Sequence, residues 1–176
     1  TTKDPDKTEI DPNDRNLGWM IGQNDGIIRN VVIDNLASTV KGGTRDEYYS
    51  LLCQNNTGSI EQCIVQNSTI STTSTLLETS IYIGCLCGLN EGEVYACYGA
   101  GNKLSMSKSF GASVYMSQLV GCIDSENKGS IYQSFAVENI DERVDNDKVT
   151  YNGFVYCANA DAFKNLGVYG RRLVRK

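Results

Sequence analysis

A chain of 176 residues without a single histidine lacks most of the common routes to catalysis. It can hold no Ser-His-Asp triad, no Cys-His dyad and no His-ligated metal, and the commonest general base at neutral pH is missing. Three residue types remain that could do chemistry: carboxylates, seven cysteines and ten tyrosines. Among the carboxylates, Asp124 and Glu126, and the run DERVDND with Asp141, Glu142, Asp145 and Asp147, are where an acid/base pair for polysaccharide cleavage or a set of calcium ligands would have to form. The DERVDND run reads as a solvated loop with Arg143 interspersed, and no D-x-D-x-D-G calcium loop occurs. No Lys or Arg recurs beside these acids as the base of a sugar lyase would. Cys85-Leu-Cys87 is C-x-C, not the C-x-x-C of redox and zinc sites, and no second pair lies at finger-like spacing. The expectation is no catalytic residue, no metal ion and no cofactor.

The elements that position these residues are repeats. Aligned on Asn24, Asn56, Asn90, Asn127 and Asn159, the chain reads GWMIGQNDGIIRNV, SLLCQNNTGSIEQC, GCLCGLNEGEVYAC, GCIDSENKGSIYQS and GFVYCANADAFKNL, with steps of 32, 34, 37 and 32 residues. Six residues before the anchor stands Gly18, Ser50, Gly84, Gly121 or Gly153. Two after it stands Gly26, Gly58, Gly92 or Gly129, and Asp161 breaks the pattern in the last copy. Apolar residues recur at fixed offsets. One column is Met20, Leu52, Leu86, Ile123 and Val155, a second is Ile28, Ile60, Val94, Ile131 and Phe163. A third is Val31, Cys63, Cys97, Ser134 and Leu166, and a fourth, with a one-residue slip, is Ile33, Val65, Ala100, Val137 and Val168. Short β-branched runs around a glycine that must tolerate positive φ indicate strands joined by tight turns. Units of about 30 residues that bury so few side chains cannot fold alone, and stacking them builds a continuous core. The fold class expected is all-β: a right-handed parallel β-solenoid (β-helix) of about five coils, its hand set by the crossover rule for parallel strands. Equal offsets then become ladders spaced about 4.8 Å apart, and the asparagines form an amide ladder.

The ladder logic sorts the remaining candidates. Cys53 with Cys87, Cys85 with Cys122, and Cys63 with Cys97 share offsets that other copies fill with Ile21, Trp19, Leu51, Phe154, Val31 and Leu166. They read first as buried thiols acting as small hydrophobes. One or two disulfides between adjacent coils, or a metal, remain alternatives, and the odd count leaves at least one thiol unpaired. Tyr48, Tyr82 and Tyr151 each stand two residues before the repeat's first Gly or Ser, on one expected line, while Tyr95 and Tyr132 are neighbours in another column. Exposed aromatic rows stack on sugars or receive protein side chains, so these five are the candidate ligand-binding residues. Rings that merely cover coil edges or pack inside are the alternative. The connections between copies vary most, as variable recognition loops do.

Composition limits the partners. Net charge is −5, which argues against nucleic acid, and no apolar run is long enough for a transmembrane segment. The basic end RRLVRK blunts an open sheet edge on this reading. Asn55 and Asn67 stand in N-x-T sequons, relevant only in a eukaryotic secretory host. Residues 1–16 hold five acidic and three basic residues and both prolines, and read as a flexible N-terminal arm or linker before a repeat body at 17–176. With no initiating Met, the chain is expected to be part of a longer one.

The third copy, GCLCGLNEGEVYACYGAGN from Gly84 to Asn102, resembles the GLUG motif, approximately G-G-L-V-G-x-N-x-G-x-I-x-N-C-Y-A-T-G. Departures are Ser50 for the first glycine, the charges Asp124 and Glu126 in copy four, and the lost turn glycine in copy five. The motif is a structural repeat of bacterial cell-surface and secreted proteins, so the resemblance implies architecture and location and no catalytic residue. It implies a non-catalytic extracellular or cell-surface module of a bacterium: adhesin-like, binding a host or bacterial glycan or surface protein, or serving as a spacer in a larger surface protein. The alternative function is a carbohydrate-active β-helix enzyme, hydrolase or lyase, or the remnant of one.

Overall fold

The computed structural model describes residues 20–41, 47–73, 80–106, 113–123, 129–137, 149–152 and 155–157. The first copy contributes β1 (Ile21–Asn24), β2 (Ile27–Arg29), β3 (Val32–Asp34) and β4 (Ala37–Lys41). The second gives β5 (Glu47–Tyr49), β6 (Cys53–Asn56), β7 (Ser59–Glu61), β8 (Ile64–Gln66) and β9 (Thr69–Thr73). The third gives β10 (Ser80–Gly84), β11 (Cys87–Asn90), β12 (Glu93–Tyr95), β13 (Tyr98–Ala100) and β14 (Lys103–Met106). The fourth adds β15 (Ser113–Ser117), β16 (Val120–Ile123), β17 (Ser130–Tyr132) and β18 (Phe135–Val137), and the fifth β19 (Val149–Asn152) and β20 (Val155–Cys157).

Each described strand pairs with its counterpart in a neighbouring copy, always in parallel. The sheets run β1-β6-β11-β16-β20, β5-β10-β15-β19, β2-β7-β12-β17, β3-β8-β13-β18 and β4-β9-β14. The chain is thus all-β, built of stacked parallel sheets, an arrangement compatible with a β-solenoid. Among the described residues there is no helix, hence none long and apolar enough to cross a membrane. One side chain per short strand points inward, and these build the core: Ile28–Ile60–Val94–Ile131 on one face and Ile33–Val65–Gly99–Ala136 on the next.

The amide ladder closes one corner. Asn24 Nδ2 donates to Asn56 Oδ1 at 2.6 Å, and Asn56 Nδ2 donates to Asn90 Oδ1 at 2.8 Å. The turn glycines that follow do not use positive φ, contrary to the expectation; among described glycines only Gly101 does. Gly58, Gly92 and Gly129 are needed for close approach instead: a Cβ on Gly92 would stand 2.1 Å from the Gly58 carbonyl oxygen, whereas one on Gly26 would meet only ordinary contact. The left-handed positions lie at two other corners, at Asn30, Gln62, Ala96 and Gln133 and again at Asn35, Asn67 and Gly101.

Several register expectations need correction. Asn90 pairs with Ile123, not with Asn127. Three residues' advance takes Asn90 to Glu93, whereas seven take Ile123 to Ser130, and Glu93 pairs with Ser130. The fourth copy therefore carries four extra residues at this corner, which the step of 37 had spread over the whole copy. Leu86 is fully buried, with Leu52 below it and Leu119, not Ile123, above. Cys122 pairs with Leu89 and does not share an offset with Cys85. The fourth column has no slip, since Gly99, not Ala100, follows Val65. Met20 is 58% exposed, outside the core column assigned to it. Asn127, Asn159, Phe163, Leu166 and Val168 lie outside the described residues.

Candidate functional site

Alternation along short strands turns every second side chain outward. On the face made by β2, β7, β12 and β17 the outward rows are Ile27–Ser59–Glu93–Ser130 and Arg29–Glu61–Tyr95–Tyr132. Arg29 and Glu61 form an ion pair, with Nε donating to Oε2 at 2.8 Å. That bond, helped by the Ser59 hydroxyl, holds the Glu61 carboxyl below its ordinary value. Tyr95 and Tyr132 continue the row, in register and 39% and 43% exposed. Around the corner formed by the left-handed Ala96 and Gln133, a second outward row runs Val32–Ile64–Tyr98–Phe135. Tyr98 and Phe135 lie with ring centroids 4.4 Å apart, and Phe135 is 49% exposed. Tyr95, Tyr98, Tyr132 and Phe135 thus straddle one corner of two adjacent copies. The signal for the two missed residues was in the sequence: each aromatic pair is spaced three apart, 37 residues from the other.

The other tyrosine line is different in kind. Tyr48 and Tyr82 stack at 5.2 Å, and the ring above Tyr82 is Tyr115 at 5.0 Å. Tyr151 is not in this line: it takes register with Met116, and Thr150 stands opposite Tyr115. Matching Ser80-Ile-Tyr82 to Ser113-Val-Tyr115 would have found the right partner. These rings are half-buried with their faces on one another, so the stack leaves little face for a ligand.

The thiols of Cys53, Cys63, Cys85, Cys87 and Cys97 are free and buried, and Cys122 is buried as well. Cys53 and Cys87 face each other across β6 and β11. Each donates to the carbonyl two residues on, Asn55 at 3.2 Å and Leu89 at 3.1 Å. Burial pushes the Cys85 and Cys87 thiols well above the ordinary value. A hydrogen bond between the Cys63 and Cys97 thiols favours ionisation of Cys63 and opposes that of Cys97. Among the described residues no three His, Cys, Asp or Glu side chains are placed to hold a metal ion. The acidic candidates Asp124, Glu126, Asp141, Glu142, Asp145 and Asp147 lie outside the described residues.

No family model matches the sequence, and no curated protein and no solved structure matches it.

Proposed function

We propose that the chain is a non-catalytic module of a bacterial cell-surface or secreted protein, a right-handed parallel β-solenoid of about five GLUG-like coils at 17–176 following a flexible arm at 1–16. Its role is adhesive: it offers an exposed aromatic corner to a glycan or a surface protein. The observation that carries this reading is the pair Tyr95–Tyr132, exposed and in register on a regular scaffold. The core is already filled by Ile60, Val94 and Ile131 on the inner side of the same strands, so stability does not require these rings. Large side chains left in water in an ordered row suit recognition, because rigid rings lose little freedom when they bind. The parallel register and the crossover rule support the hand.

The test is retention of the purified chain on glycan arrays and on immobilised surface proteins, with and without Tyr95→Ala and Tyr132→Ala together. Binding should weaken by about 1–2 kcal/mol while stability changes less. Undiminished binding on every surface would leave a spacer that holds another domain away from the cell. Release of sugar ends from a polysaccharide would replace the adhesive reading by the enzymatic one.

A further inference from the structure

We infer that the outward corner bearing Glu93, Tyr95 and Tyr132 binds the cationic side chains of a basic protein segment. This rests on the adhesive reading above and names the partner for that site. The argument is charge complementarity within a small patch. Among the described residues the outward rows of this face contain one cation, Arg29, and Glu61 already occupies it. Among the described residues the exposed Glu93 carboxylate has no ion-pair or hydrogen-bond partner, and neither Tyr95 nor Tyr132 is in contact with another ring. Glu91 stands in the turn just before β12.

Glu93 and Tyr95 are two residues apart on one strand, so both point out from the same face about 6.6 Å apart. A Lys or Arg head within about 6 Å of the ring centroid meets the negative face of the tyrosine, and at that position it is also within reach of the carboxylate. Tyr132, one strand spacing of about 4.8 Å further along the axis, offers a second ring to the next cation. The whole chain carries −5, which draws basic partners in and repels sulfated, sialylated or phosphate-rich polymers. A neutral sugar would gain the stacking and donate hydroxyl hydrogen bonds to the carboxylate, but it would leave the negative charge uncompensated, which a cation does not.

The experiment uses the full chain with a synthetic peptide of alternating lysine and serine as probe, read by amide shift changes in NMR. A neutral cello-oligosaccharide and a peptide of alternating glutamate and serine are the comparisons. The lysine peptide should shift Glu93, Tyr95 and Tyr132 saturably, and its affinity should fall as salt rises. Tyr95→Ala with Tyr132→Ala should weaken it roughly tenfold and Glu93→Gln roughly threefold, whereas Lys103→Ala, on another sheet, should leave it unchanged. Tyr132→Leu keeps the apolar bulk without the ring and should weaken binding as alanine does. Lysine-peptide binding that ignores these substitutions would overturn the inference, because it would be attraction to net charge alone. Shifts of the same residues by the oligosaccharide, without any by the lysine peptide, would overturn it too and leave the adhesive reading standing. No shift with any probe, together with unaltered surface retention of the double variant, would remove both.

Discussion

Ala96 holds φ at +52°, in a column whose other members are Asn30, Gln62 and Gln133. An L residue with a Cβ is strained in that region by roughly 1–2 kcal/mol, and asparagine or glycine tolerates it better. The corner hydrogen bonds survive regardless: Ala96 N donates to Tyr132 O at 3.0 Å and Gln62 N to Tyr95 O at 2.9 Å. Ala96→Gly should therefore stabilise by about 0.5–1 kcal/mol once the added freedom of the unfolded chain is subtracted, and Ala96→Asn by a similar amount. Urea denaturation reads this directly, and a lowered midpoint for both variants would show that the corner gains nothing from relief. The buried thiols give a second residue-scale outcome. Burial raises the Cys85 and Cys87 thiols above 9.0, so the folded chain keeps protons that the unfolded chain releases. Their contribution is fully present below the unfolded value and is lost as pH rises above it, towards the raised folded values. Stability should then fall above about pH 9, by up to about 1.4 kcal/mol per thiol per pH unit. Cys85→Ala with Cys87→Ala should flatten that slope, and an unchanged slope would mean that other groups set it.

At the scale of elements, the all-β parallel stacking was legible because the ladder repeats its own signals. The asparagine anchor in three successive copies, Asn24, Asn56 and Asn90, is a real column joined amide to amide. The sequence misled where a copy changes length inside itself. Asn127 and Gly129 imitate Asn90 and Gly92, yet β16 keeps the spacing of the preceding strand and the extra residues fall between β16 and β17. A single anchor per copy cannot separate these cases; two anchors, one on each side of the corner, can. The same slip hid Tyr115 and put Ile123 above Leu86. Glycine was misread for a related reason, since its type reports either positive φ or close approach, and only the neighbouring backbone tells which. Of the candidate site, the Tyr95–Tyr132 column was readable from spacing. Tyr98 and Phe135 were not singled out, because which side faces water past a left-handed corner depends on that corner. The corrected stack makes its own claim. Leu86→Ala removes a fully buried side chain between Leu52 and Leu119 and should cost about 2–5 kcal/mol. Filling above it with Leu119→Phe should partly restore stability, whereas Ile123→Phe should not. The reverse pattern in thermal melts would reinstate the original register.

For the whole molecule, stability in a stack is carried between neighbours, so a copy with one neighbour is held less firmly than a copy with two. The first copy shows this in its surface. Met20 is exposed, and Ile28 and Ile33 are the least buried of the aliphatic core residues on their faces. Among the described strands β1, β2, β3 and β4 each pair on one side only. Those of the second and third copies, β5 and β14 apart, have partners on both sides among the described strands, and these copies hold most of the fully buried side chains, from Leu51 and Ile60 to Ile83 and Val94. Opening the first copy breaks one set of ladder bonds and exposes little new apolar surface, while opening the second must break two sets and uncover the centre. Hydrogen exchange of the native chain should therefore show a gradient, with ladder amides donated from the first copy, such as Ile21 and Asn30, exchanging by local opening. Cys53 and Gln62, whose amides donate to the third copy, should exchange only with global unfolding. Denaturant should leave the first group's rates nearly unchanged at low concentration and raise the second group's steeply. Equal protection of Ile21 and Cys53 would mean that the first copy is covered on its outer side, and that the stack is longer than the strands described.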